Sequence, residues 1–524
     1  MISRRQFLLS SVATGAGLAA GPARLLAASE RSESICNASS CYTRMFPQLA
    51  RPQSLPNSKL EKGLAELGSK MTDDGENEEG TVPAGYTYWG QFIDHDLTLD
   101  VTPLELAQTK AEHVQNFRTP FLDLDHLYGG GPSLSPFLYE INGPPGNERF
   151  LIGMTRSRKV KGRDFKSLPD DLPRNSKGIA LVGDPRQDEN LIIAQLHVAF
   201  LKFHNRVMDE LDKGDKGKVR SAGPAGATRF EQVRRLVTWH YQYIVLNDFL
   251  SELIDTEVFK DLQRKCAAAV DGSGRFRIPV EFSVAAFRFG HSMVRDLYGF
   301  YNEHHDNVDL RCLLALTGAG SKEIPCKDLP DGKDSFVLPA DWAIEWDHFF
   351  LFKKPQLNDS RKIDTKVAKG LHNLHPQTLK LFNAPITGQP PQLTEPENIL
   401  PVRTLWRGAR MGLPSGQDIA KAFGIRPMDS KNEIAPTNNP HADTLRSYGL
   451  DEDTPLWYYI LKEAELKSNP KGTRLGFVGS RIVGDVIVSA IRSDPNSYLS
   501  IDPNWKPELA GKPADKMADI LGFI

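Results

Sequence analysis

The run Trp89-Gly90-Gln91-Phe92-Ile93-Asp94-His95-Asp96 sets a histidine, a side-chain amide and two carboxylates close together in the chain. If residues 84–97 are helical, Gln91, Asp94 and His95 stand at i, i+3 and i+4 and share a face, while Asp96 points about 100° away. Nearly a hundred residues later, Gly183-Asp184-Pro185-Arg186-Gln187-Asp188-Glu189 adds a guanidinium and another carboxylate. Pro185 suits the first turn of a helix, which would put Arg186 and Glu189 on one face ahead of the apolar run 191–207. A base beside a fixed cation can move a proton while stabilising the charge of a breaking bond, and splitting peroxide on a ferric haem is one reaction with those needs. Taken singly, the first motif also fits a surface helix or an Asp-His-Asp hydrolase metal site, and the second a solvated ion pair.

Burying such groups needs a sizeable scaffold. The 524-residue chain is 40% hydrophobic and 25% charged, a globular composition, and large helical enzymes of this length often run as one unit. Lys and Arg (64) nearly balance Asp and Glu (66), so nothing in the charge points to nucleic acid as a partner. Apolar residues recur at helical spacing over 189–211, 229–253, 283–294, 417–423, 455–464 and 480–492, and strand signals are scarce. Pro- and Gly-rich connectors at 221–227 and 386–392 interrupt the helices without marking a domain boundary. The expected fold class is mainly α: a single large helical domain over 81–524 with long loops and little strand, preceded by a polar arm at 29–80.

Residues 1–28, with Arg4-Arg5 ahead of a mildly apolar stretch and Ala27-Ala28, resemble a twin-arginine export signal. The stretch is too short and too diluted by Gly, Ser and Thr to span a bilayer. Its removal would shift the net charge from -2 to -5. The expectation is an exported bacterial protein, periplasmic or secreted, with no stable membrane anchor after cleavage. Of five cysteines, Cys36 with Cys41 and Cys312 with Cys326 could close loops in an oxidising compartment, free thiols being the other reading.

The two motifs, followed by Phe203-His204-Asn205-Arg206, Leu413-Pro414-Ser415-Gly416-Gln417-Asp418 and the stretches at 455–461, 478–483 and 494–499, resemble the animal-type haem peroxidase superfamily, bacterial members most closely. The resemblance runs from about residue 50 to the C-terminus. It implies a helical haem-peroxidase domain, haem b as cofactor, and hydrogen peroxide with a small electron donor such as a halide or phenol as substrates. It implies His95 as the distal acid–base, Arg186 as its positive partner and Gln91 as the distal amide. His291, on an apolar helix beside Gly290, would bind the haem iron; by itself, a lone histidine there reads as a core residue. Asp94 and Glu189 match positions that form ester bonds to haem, so ester-linked haem is permitted, while Asn190 excludes the third, sulfonium link. Arg288 and Arg407 would pair the propionates. Thr404 departs from the family's usual asparagine, whose side chain accepts the proximal imidazole N–H, and this puts full activity in doubt.

Thr119-Pro120-Phe121-Leu122-Asp123-Leu124-Asp125 alternates carboxylates with carbonyls, a shell suited to Ca²⁺. The resemblance implies Asp96, Thr119, the Phe121 carbonyl, Asp123 and Asp125 as calcium ligands, with an Asx-turn pair as the plain alternative. Other functions fit less well. A fatty-acid dioxygenase needs a tyrosine beside the haem, and residues 343–350, the segment compared for it, hold none. A non-catalytic haem or calcium binder would account for Thr404, and a hydrolase built on Asp94-His95-Asp96 is remote. The reducing substrate and the oligomeric state have no local code.

Overall fold

The structure, a computed structural model, describes residues 41–524 except 54–57, 74–78, 103–112, 141–145, 147, 215–226, 265–274, 318–336, 353–356 and 375–394. The export signal, the connectors at 221–226 and 386–392, and Cys36, Cys266 and Cys326 lie outside these residues. Cys41 and Cys312 are both disulfide-bonded.

Among the described residues, seven helices of eleven residues or more make the frame: α1 (Lys59–Lys70), α2 (Gly85–Leu97), α3 (Leu191–Asp212), α4 (Arg229–Ile244), α5 (Leu400–Arg410), α6 (Leu456–Lys467) and α7 (Phe477–Ser493). Strands among the described residues form only two-stranded antiparallel pairs, including β1 (Glu79–Pro83) with β4 (Asp359–Arg361) and the hairpin of β2 (Leu297–Asn302) and β3 (His305–Asp309). The mainly α expectation holds. Among the described residues no helix is long and apolar enough to cross a membrane.

Two of these helices, α1 and α5, were not foreseen. Part of the expected N-terminal arm is α1, capped by Ser58 Oγ on Glu61 N and docked on α5. Its apolar residues are few, yet Leu64 and Leu67 are buried, and the buried Glu61 carboxylate accepts from Arg410 Nε at 2.7 Å. That pairing partner lies some 350 residues away, beyond local pattern reading.

Helix α2 is held on its inner side by aromatic packing. Phe92 stacks on Phe200 of α3 with centroids 4.7 Å apart, and Trp89 meets Phe249 edge-on. Gly85 lets the helix start against the backbone, since a Cβ there would come 2.4 Å from the Phe349 carbonyl. Asn116 finishes the other end: its amide donates to Leu97 O and its carbonyl accepts from Leu99 N, both at 2.8 Å. With both ends and the inner side fixed, the face carrying Tyr88, Gln91 and His95 is set in place.

The 283–294 stretch corrects a second expectation. It is not one regular helix but a π turn (Glu281–Ala285), a 3-10 turn (Ala286–Phe289) and one α turn (Gly290–Met293), with Ala285 at φ -130°, ψ -70° at the change of pitch. Wide and tight turns in succession rotate the side chains off a 3.6-residue period.

Candidate active site

Between α2 and the 281–293 segment lies a cavity of about 400 Å³. His95, Gln91 and Asp94 reach it from α2, Arg186 and Glu189 from the 183–189 segment, Arg288 and His291 from the broken helix, and Arg407 from α5. All eight residues expected to serve one haem pocket thus line one cavity.

The 183–189 backbone differs from the expected first turn of α3. Residues Pro185–Asp188 form a separate 3-10 turn capped by Asp184, and α3 begins at Leu191, where Asn190 Oδ1 accepts from Ile193 N at 2.9 Å. Two Asx caps divide what periodicity reads as one helix. Gly183 allows this turn to approach the neighbouring loop, since a Cβ there would come 2.5 Å from His126 O.

Arg186 is buried and clamped. Its Nε and Nη2 donate to Asp184 at 3.1 and 2.8 Å, and Nη2 also donates to the carbonyls of Thr98 (2.5 Å) and His95 (3.2 Å). Nη1 lies 3.8 Å from Asp94 Oδ2. Burial opposes both charges, yet the pair's attraction holds the Asp184 carboxyl well below its usual range and Arg186 above its own. Asp184 was not singled out by sequence; its signal was the Asx-Pro capping position.

His95 is held at both ring nitrogens. Nδ1 meets the Gln187 amide nitrogen at 3.1 Å, and Nε2 lies 3.6 Å from Glu189 Oε1. Gln91 Nε2 donates to the same Glu189 oxygen, and Asn190 Nδ2 donates to Gln91 Oε1 at 3.1 Å. Base, amide and carboxylate therefore form one network, to which Gln187 and Asn190 belong unforeseen.

His291 is kept neutral. Burial, with Arg288 nearby, pushes its imidazole down to about 3, which leaves a lone pair free for a metal. Its Nδ1 is buried without a hydrogen-bond partner, and so is Thr404 Oγ1, which lines a separate space of about 70 Å³ rather than the main cavity. At Gly290 a Cβ would meet nothing within 4 Å, so the wall beside His291 is bare. Arg288 donates from Nε to Ser283 O and has no ion pair among the described residues. Arg407, by contrast, is paired with Asp100, which a propionate would have to displace. A neutral imidazole, a bare wall and a nearby guanidinium fit a flat, dianionic iron porphyrin.

Residues 343–350 do not line the cavity, so their lack of tyrosine decides nothing; Tyr42, Tyr86 and Tyr88 do line it.

Behind α2, Asp96 is fully buried and accepts from Leu124 N at 3.2 Å and contacts His126 Nδ1 at 2.9 Å. Thr119 Oγ1 donates to Asp123 and Thr119 N to Asp125, and Leu124 takes φ 59° to bring the carboxylates together. Asp96, Asp125 and His126 offer ligand atoms within 4.8 Å of one another, so a nitrogen donor joins the expected oxygens. Burial and the neighbouring carboxylates push Asp123 up to about 8.

Fold and site together define a helical protein whose buried cavity carries an imidazole and a guanidinium from one side and a lone neutral imidazole from another. The profile of the family described as animal haem peroxidase matches residues 104–494, and the chain belongs to that family. It is 28% identical to lactoperoxidase of Mesocricetus auratus over 39% of this chain, and 26% identical to thyroid peroxidase of Homo sapiens over 38%. These matches span only 28% and 22% of the relatives' own lengths. Among solved structures, peroxidase A of Dictyostelium discoideum superposes with a TM-score of 0.56 over 93% of each chain at 15% identity. A fatty acid alpha-dioxygenase of Arabidopsis thaliana gives 0.57 over 90% of this chain and 76% of its own at 14% identity. At such identity the superpositions speak for the fold.

Proposed function

We propose that this chain is a haem peroxidase, binding haem b in the cavity with His291 as iron ligand and reducing hydrogen peroxide at the expense of a small donor such as a halide or phenol. The observation that carries the reading is the convergence of His95, Arg186 and the neutral His291 on one cavity. Bound haem would supply the redox chemistry, taking two electrons' worth of oxidation from peroxide and returning it to the donor.

The chain's own residues do the rest. His95 Nε2 accepts the proton of one peroxide oxygen and delivers it to the other, which leaves as water. Arg186 Nη1, anchored through Asp184, meets the negative charge that develops on the departing oxygen. Gln91, steadied by Asn190, holds the small molecule that enters beside His95. Asp94 and Glu189 are carboxylates available for ester links. Arg288, and Arg407 in exchange for Asp100, would hold the propionates.

The finer parts of this reading are a calcium ion on Asp96, Thr119, the Phe121 carbonyl, Asp123 and Asp125, tying the α2 helix to its loop, and export to the periplasm or medium of a bacterium through residues 1–28. N-terminal sequencing of secreted protein checks the latter. An absorption spectrum before and after acid-acetone extraction tests haem binding and covalent attachment together. The expected result is a Soret band that changes on adding peroxide; a protein that takes up no haem overturns the proposal. The three wall tyrosines favour keeping a fatty-acid dioxygenase as second reading, for which oxygen uptake with linoleate is the test.

A further inference from the structure

Tyr88 stands on the same face of α2 as Gln91 and His95, three and seven residues before them, and lines the cavity. Its hydroxyl does not point to water. It lies 2.5 Å from the hydroxyl of Tyr298 on β2, and both phenols are buried. That distance is at the short limit for O–H···O bonds. Tyr86, also on the cavity wall, instead donates to the Asp248 carboxylate at 2.6 Å.

From Tyr298 the rings continue outward. Centroid distances are 5.8 Å to Phe349, 6.1 Å on to Tyr301, 5.8 Å to Trp342 and 3.9 Å to the stacked ring of His305. His305 opens β3 directly after the hairpin turn at Glu303 and His304, and Glu303, Asp306 and Asn307 around it face solvent. No step in the peroxide mechanism uses these residues.

Resting on the peroxidase reading, we propose that Tyr88 and Tyr298 form a redox-active pair that carries one oxidising equivalent from the cavity toward the hairpin surface, for phenolic donors too large to enter the cavity. Reduction of peroxide to two waters consumes two electrons and two protons. One of each comes from Tyr88, whose O–H bond breaks, and the other of each from a second phenol molecule through the same pair in a second turn. The Tyr298 hydrogen then crosses the short bond, breaking O–H on Tyr298 and re-forming it on Tyr88. A phenol at the surface supplies the replacement electron through Trp342 and Tyr301 and releases its own proton to water, while the pair regains a proton from the cavity side; the phenol leaves as a one-electron-oxidised radical. Burial favours the neutral phenols at rest, pushing Tyr88 well above the ordinary range and Tyr298 up to about 12, so electron and proton must leave together.

The test is freeze-quench electron paramagnetic resonance on the haem-loaded protein mixed with hydrogen peroxide, beside turnover of a phenol coupled to a polymer too large to enter. Wild type is expected to give a tyrosyl signal of the hydrogen-bonded type, and Tyr298→Phe to shift it to the unbonded type. The double variant Tyr88→Phe/Tyr298→Phe, which strands no buried hydroxyl, should lose the signal and at least tenfold of polymer-phenol turnover. Tyr86→Phe should keep both. A Soret change without any tyrosyl signal, or a signal unchanged in the double variant, overturns the pair while sparing the peroxidase reading. Absence of any peroxide-dependent Soret change overturns both.

Discussion

Replacing Asp184 by asparagine isolates the anchor of Arg186 without touching the cavity. Asparagine can keep the Oδ1 bonds to Arg186 N (2.9 Å) and Nε (3.1 Å), but its NH₂ would face Arg186 Nη2 (2.8 Å from Oδ2) and Arg118 Nε (3.2 Å) with a donor where they need an acceptor. Buried Arg186 and half-buried Arg118 then share one fewer negative charge, and breaking a buried pair costs about 3–5 kcal/mol. Arg186 also turns from its line to the cavity. Complete loss of a charge-stabilising donor costs on the order of 10²–10³ in rate, so partial misplacement should cost about tenfold or more. Urea unfolding and stopped-flow reaction with peroxide at pH 7 measure the two effects. Because the Asp184 carboxyl is depressed in the folded protein, its contribution is fully present above the ordinary carboxylate range and fades as pH falls below about 4. The gap in stability between wild type and Asp184→Asn should therefore narrow in acid. A variant as stable as wild type and reacting within twofold of its rate would refute this account of Arg186.

His95→Ala should bind haem yet react with peroxide roughly 10²–10⁴ times more slowly, whereas His291→Ala should lose the haem or its Soret band; both are read by the same titration and stopped-flow traces. Burial pushes His204 down to about 3 and His240 to about 4, so the unfolded chain binds more protons below about pH 6.5 and haem-free protein should lose stability as pH falls from there toward 4. The two together are worth on the order of 2–4 kcal/mol at pH 5, and flat urea midpoints between pH 7 and 5 would contradict it. Calcium chelation should lower the melting temperature and slow the peroxide reaction, because Asp96 directly follows His95; re-addition of Ca²⁺ should restore both, and indifference to chelator would remove the ion from the proposal.

Much of the site was readable in advance because its residues are tied to short runs. Gln91, Asp94 and His95 needed only a helix at 84–97, and α2 spans Gly85–Leu97. What the motifs missed were partners chosen by packing: Asp184 and Asp100 for the two arginines, Gln187 and Asn190 for the His95 network, His126 among the carboxylates. The 283–294 run misled because an apolar stretch reads as a regular helix whether or not its turns change pitch, and the pitch here is set by contacts with α5, α6 and α7.

Sequence by itself determined the helical class, the family and the residue types that do the chemistry, because apolar spacing and short motifs are properties of neighbours in the chain. Tertiary structure alone decided that His95, Arg186 and His291 face one cavity, that Arg407 is held by Asp100, and that Tyr88 meets Tyr298, some two hundred residues away. Those contacts depend on how buried charges and hydroxyls find partners once the helices pack, and no local pattern encodes the choice.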